Sequence, residues 1–167
     1  LGHVGMDVAR HLPAAGARLV VADIHEPAVA RAVAEFGART VAADRAHAAE
    51  ADVFAPCALG AGLNDETIAG LGAPIVAGAA NNQHAEARHD GELARRGVLY
   101  APDYVINAGG VISIALGRPG ADDAAARAKV TAIGATLTRI FNLSRETGTP
   151  TQTVADRLAE DRLKQAG

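Results

Sequence analysis

The stretch LGHVGMDVARHL, residues 1–12, decides the fold, because Gly2 and Gly5 stand where a dinucleotide-binding fingerprint places its second and third glycines. That fingerprint, G-x-G-x-x-G/A, follows a strand and opens a helix. Its first glycine would fall one residue ahead of Leu1, and neither an initiator Met nor a strand-like run precedes it. The sequence is therefore expected to be the back part of a longer protein. A pyrophosphate needs backbone N–H donors and the positive end of a helix, and glycines let the backbone approach closely enough to offer both. In this reading Gly2, His3, Val4 and Gly5 act through backbone rather than side chains. Two glycines near a helix start are also an ordinary turn, so the motif needs support.

Support comes 21 residues after Gly2, where Asp23 ends the run RLVVAD. A carboxylate at the end of the next strand can accept both hydroxyls of an adenosine ribose and repels a 2′-phosphate. No arginine follows it directly, so NAD is favoured over NADP, with His25 the one neighbour that leaves the choice open. The alternative for Asp23 is a helix cap or a loop carboxylate.

RLVVAD is nearly continuous in apolar residues, as expected of a strand covered on both faces. RTVA, ADVFAP, PIVAGA and GVLYAP are four further strand candidates. Helices are expected over Met6–Ala15, Pro27–Phe36, Asp65–Leu71 and Gly91–Arg96, with Pro27 in a first turn and Gly16 and Gly37 just past helix ends. Strands alternating with helices predict an α/β protein with a doubly wound parallel sheet. Beyond Pro102 the pattern changes. DYVINAGGVISIALG reads as a helix interrupted at Gly109 and Gly110. Residues 121–147 read as a long helix, with Val130, Ile133, Leu137 and Ile140 three or four apart. GADDAAARA reads as its start, with acidic residues at the positive end. Thr149 and Pro150 resemble the cap and first turn of a last helix.

Composition excludes several roles. A net charge of −3 with 3% aromatic residues provides neither a basic face nor stacking rings, so nucleic acid is not an expected partner. No apolar run approaches the ~20 residues of a membrane span. Cys57 is the only cysteine and can form no internal disulfide, which suits a reduced, cytoplasmic setting. It reads as a small buried residue as easily as a nucleophile, and the passive role is favoured. His84 and His89 are five residues apart, not the four of a helical zinc pair, and read as surface histidines; no metal is expected.

Three strings, FAPCALG, AGAANNQ and YAPDYVINAGGVI, in this order behind the glycines, closely resemble the leucine/valine/phenylalanine dehydrogenase branch of the amino acid dehydrogenases. The resemblance runs through the terminal TP…VADRLAEDRL. It implies NAD-dependent, reversible oxidative deamination of an L-amino acid to its 2-oxo acid and ammonia, in a homo-oligomer. The fold it implies is a Rossmann-type doubly wound sheet, here lacking its first strand, over residues 1–120, with C-terminal helices over 121–167 returning towards a catalytic domain upstream.

The same resemblance assigns residues. Gly2, His3 and Val4 fall where the family holds the pyrophosphate. Asp23 falls at the adenosine ribose, with Ile24 beside it among the cofactor-binding positions. Cys57, Ala58 and Leu59 match the turn along the cofactor. Ala79 and Asn82 belong to the same set, Asn82 near the nicotinamide ribose. Asn107 matches an asparagine reaching both nicotinamide and substrate, and its plainer role is an N-cap for a helix over Ala108–Leu116; the two are compatible. Val111 and Ile114 match the wall of the side-chain pocket, which suits branched-chain substrates, with phenylalanine the alternative. The family's catalytic lysines and aspartate lie in the upstream domain, so this chain is expected to carry no catalytic residue and to be inactive alone. A non-catalytic nucleotide-binding module and a glutamate dehydrogenase stay open, although PCALG with NAGGV weighs against the latter.

Overall fold

The computed structural model describes residues 1–116 and 123–166. Helix α1 spans His3–Ala14, strand β1 Val20–Val21, α2 Glu26–Phe36 and β2 Arg39–Thr40. A 3-10 turn over Ala43–Ala48 leads to α3, Asp65–Ala69, then β3, Ile75–Val76, α4, Arg88–Arg95, and β4, Leu99–Tyr100. Four helices close the chain: α5 Asp103–Ile106, α6 Gly109–Leu116, α7 Asp123–Thr147 and α8 Thr151–Ala166.

Local sequence accounts for most boundaries. Pro27 sits in the first turn of α2, where its missing N–H costs nothing, and Gly37 ends that helix at φ 64°, donating its N–H to Val33. Asn64 caps α3 by accepting from the N–H groups of Glu66 and Thr67, while the Thr67 hydroxyl accepts from Asn64 N–H. The break in DYVINAGGVISIALG falls at Asn107 and Ala108, and the two glycines open α6 rather than interrupting a helix. The first two residues of the expected 121–147 helix lie outside the described residues, as does part of GADDAAARA.

The strands form two parallel pairs. Val20 and Val21 of β1 face Arg39 and Thr40, and Ile75 and Val76 of β3 face Leu99 and Tyr100. ADVFAP contributes a single parallel bridge, Phe54 with Val76, and is not a strand of its own. Among the described residues no strand joins the two pairs, so the expected complete doubly wound sheet is not formed by them. The physical reason is partnership: a run extends as a strand only where neighbours take its N–H and C=O groups, and β1 has a neighbour on one side alone.

Burial follows the same division. Met6, Val21, Ala32 and Ala38 pack one cluster between α1, α2 and the first pair. Leu63, Ile68, Val76, Leu93 and Tyr100 pack a second around the other pair, and Ile140, Val154 and Ala155 a third between α7 and α8. Each fully buried side chain of this size contributes ~1.5–3 kcal/mol of transfer free energy. Polar groups lie behind the second pair. Buried Asp90, on α4, accepts from the N–H groups of Gln152 and Thr153 and from the Thr153 hydroxyl, which closes the start of α8. Buried Asp103 accepts from Gln83 N–H at 2.9 Å, and the Gln83 side-chain amide donates to the carbonyls of Gly78 and Ala80.

Candidate functional site

Both strand pairs are parallel, and the residues singled out by sequence gather after the carboxyl ends of their strands. Asp23 follows β1, Cys57 follows the Phe54 bridge, Ala79 follows β3, and Asn107 follows β4 by way of α5. The crevice outside the carboxyl ends of parallel strands is where open α/β sheets bind ligands.

At the near end, Gly2 is the N-cap residue of α1 and supplies no side chain, so no side-chain oxygen meets the first N–H groups of His3, Val4 and Gly5. A Cβ on Gly2 would find no atom within 4 Å, so the space there is open to a ligand. Gly5 turns inward: its Cβ position is 3.4 Å from the Cβ of Cys57. The fingerprint helix thus rests on the Cys57 turn, with Cys57 half-buried and Ala58 and Leu59 exposed.

Asp23 accepts from His25 N–H at 2.8 Å. His25, not Asp23, is the N-cap residue of α2 and has no capping side-chain bond. A carboxylate has about four lone-pair sites, so sites remain for incoming hydroxyls. Ile24 beside it is 92% exposed.

At the far end three segments meet. Ala61 N–H donates to the Asn82 carbonyl at 2.7 Å, and a Cβ on Gly60 would sit 2.9 Å from the carbonyl oxygens of Asn81 and Asn82. Glycine is required there by close approach. Asn82 has φ 50°, a left-handed conformation that asparagine tolerates better than most residues. The Asn107 side-chain amide donates to the side-chain oxygen of Asn81 at 2.5 Å and to the Ala79 backbone carbonyl at 3.4 Å. Asn107 is therefore not the N-cap of α6: it ends α5, and its side chain crosses to the neighbouring loop. Sequence reasoning chose Asn82 and missed Asn81; NN marks a turn without saying which side chain faces inward. Val111 and Ile114, three residues apart on α6, are 71% and 84% exposed and form an uncovered apolar wall.

His84 and His89 are not surface histidines. His89 is 1% exposed, and among the described residues neither buried ring nitrogen of His84, which stacks on Tyr100 with centroids 4.4 Å apart, has a hydrogen-bond partner. Burial lowers the His84 pKa against the opposing pull of Asp90 and Asp103. Ligand-type atoms of Asp65, His89 and Glu92 lie within 4.8 Å of one another, a spacing compatible with a metal site. However, Glu86 N–H donates to His89 Nδ1 at 3.0 Å, which puts the proton of the neutral ring on Nε2, the nitrogen facing Asp65 at 3.1 Å. Arg88 also occupies Asp65, at 2.7 Å. This cluster is an ion-pair network whose one facing ring nitrogen has no lone pair to give a metal. Arg88 and then His89 hold Asp65 down at about 2. Among the described residues no helix is long and apolar enough to cross a membrane.

Comparison with known proteins bears on this geometry. Residues 2–121 match the model of the glutamate/leucine/phenylalanine/valine dehydrogenases. The chain is 46% identical to a leucine dehydrogenase of Bacillus subtilis (strain 168) over 164 residues, 98% of this chain and 45% of that protein. It is 44% identical to a valine dehydrogenase of Streptomyces albus over 170 residues, 99% of this chain and 46% of that protein. The crystal structure of an L-tryptophan dehydrogenase from Nostoc punctiforme superposes with a TM-score of 0.94 at 43% identity, covering 99% of this chain and 50% of that one. The chain spans about half the length of the relatives it matches. By the match over residues 2–121 and the identity to these relatives, it belongs to the glutamate/leucine/phenylalanine/valine dehydrogenase family.

Proposed function

We propose that this chain is the NAD-binding part of an amino acid dehydrogenase that interconverts a branched-chain L-amino acid, leucine or valine, with its 2-oxo acid and ammonia. The observation that carries the reading is the row after the strand ends: the uncapped start of α1, Asp23, the Cys57–Leu59 turn, Ala79 to Asn82, then Asn107. Those residues fit an extended dinucleotide. N–H groups of His3, Val4 and Gly5 with the α1 dipole suit its pyrophosphate, and Asp23 suits an unphosphorylated ribose. Bound NAD supplies the hydride acceptor. The chain's own residues bind and orient, and none is placed to exchange protons with the substrate, so catalytic groups come from outside residues 1–167 and these residues alone are inactive.

In the same reading residues 1–120 form a Rossmann-type domain, and the gap between the two strand pairs takes the strand that precedes the fingerprint. Residues 121–167 return towards the catalytic domain. The assembled enzyme is a cytoplasmic homo-oligomer.

Val111 and Ile114 provide a branched, apolar wall with no partner for a charged substrate side chain, and an unpaired carboxylate against it is costly. A second reading, an aromatic amino acid as substrate, is favoured by the likeness to the L-tryptophan dehydrogenase. Initial rates of the full-length enzyme with leucine, valine, phenylalanine, tryptophan and glutamate decide between them. Leucine or valine is expected to give the highest kcat/KM. Ile114→Ala is expected to move the leucine-to-phenylalanine ratio towards phenylalanine by about tenfold, the worth of ~1–3 kcal/mol in an apolar pocket. A preference for glutamate, or an unchanged ratio, contradicts the assignment of this wall.

A further inference from the structure

We propose that Asn81 is a positioning residue that holds the Asn107 side chain in place in the cleft; this rests on the function proposed above. The hydrogen-bond partners assign both amides. The Ala79 carbonyl can only accept, so the Asn107 atom 3.4 Å from it is the NH2 group. The same nitrogen lies 2.5 Å from Asn81, which must therefore present its carbonyl oxygen. These two bonds use both N–H groups of Asn107. Its own side-chain oxygen is left without a partner among the described residues, so Asn107 offers a ligand an acceptor and no donor.

Asn81 can impose this because its backbone is itself held. Gly60 packs against the Asn81 and Asn82 carbonyls, and Ala61 N–H donates to Asn82. The bond from Asn107 to Ala79, at 3.4 Å, is long for an N–H···O contact, so the Asn81 bond is the stronger constraint. Without it the Asn107 side chain is held by the long Ala79 contact alone and can leave its position. Small errors of orientation at a reaction centre cost rate more than affinity.

The test is a double-mutant cycle in the full-length enzyme, with Asn81→Leu, Asn107→Ala and the pair, read by kcat and by NADH affinity. Asn81→Leu is expected to lower kcat at least tenfold while the NADH dissociation constant stays within threefold. In the Asn107→Ala background it is expected to cause no further loss. A crystal structure of Asn81→Leu is expected to show the Asn107 side chain displaced from the Ala79 carbonyl, a readout independent of activity. If Asn81→Leu does not fold, Asn81→Ala enters the same cycle. Equal loss in both backgrounds, unchanged kcat, or an unmoved Asn107 amide overturns the proposal. A wild-type enzyme that binds no NADH instead overturns the function, while the position of Asn107 in the variant still decides the role of Asn81.

Discussion

Helices α1 and α8 begin in opposite ways. At α8, Asp90 reaches across from α4 and its carboxylate takes two backbone N–H groups and a hydroxyl, so the positive end of the helix is closed by a buried negative charge. At α1, Gly2 stands in the cap position with no side chain and open space above it. A helix start left with free N–H groups is destabilising unless something completes it. The difference separates scaffold from site. Asp90 completes α8 inside the fold, whereas the start of α1 lies beside Asp23 and the Cys57 turn, where a phosphate can complete it.

The largest expected effect breaks the closed end. Asp90→Ala leaves buried donors of α8 unpaired and is expected to cost about 2 kcal/mol of stability, read as a lower urea midpoint. NADH affinity is expected to stay within twofold. A fall in affinity without a fall in stability would make Asp90 part of the site and dissolve the contrast.

A smaller effect sharpens the same contrast through pH. His84 lies beside Tyr100 with Asp90, Asp103 and His89 around it, and burial holds its folded pKa below the unfolded value of 6.5. The unfolded chain then binds the proton more readily, so this contribution is complete above pH 6.5 and is lost as pH falls below it. His84→Phe, which keeps a ring against Tyr100, is expected to flatten the decline in urea midpoint between pH 7 and pH 5. An unchanged slope would mean that other groups set the acid sensitivity.

Much of this was legible in the sequence where the signal is local. Pro27 and Gly37 mark helix ends that the structure keeps, and Gly2 with Gly5 opens a helix as the fingerprint requires. What was not legible depends on distant partners. ADVFAP has the composition of a strand but finds one bridge, because pairing is a property of neighbours. His89 and Asp90 look like surface residues in a polar helix, yet both are buried, His89 against Asp65 and Asp90 against the start of α8. In NN, only the left-handed turn at Asn82 decides that Asn81 meets Asn107.

The central claim is that the open start of α1 and Asp23 together hold an unphosphorylated dinucleotide. Calorimetric titration of the full-length protein and its Asp23→Ala variant with NADH and with NADPH tests it most directly. Asp23→Ala removes a charge-assisted hydrogen bond of ~1.5–3 kcal/mol from NADH binding and relieves a repulsion for NADPH, so the preference for NADH is expected to narrow at least tenfold. Equal changes for both cofactors, or no change for either, would contradict the account and remove Asp23 from the ribose.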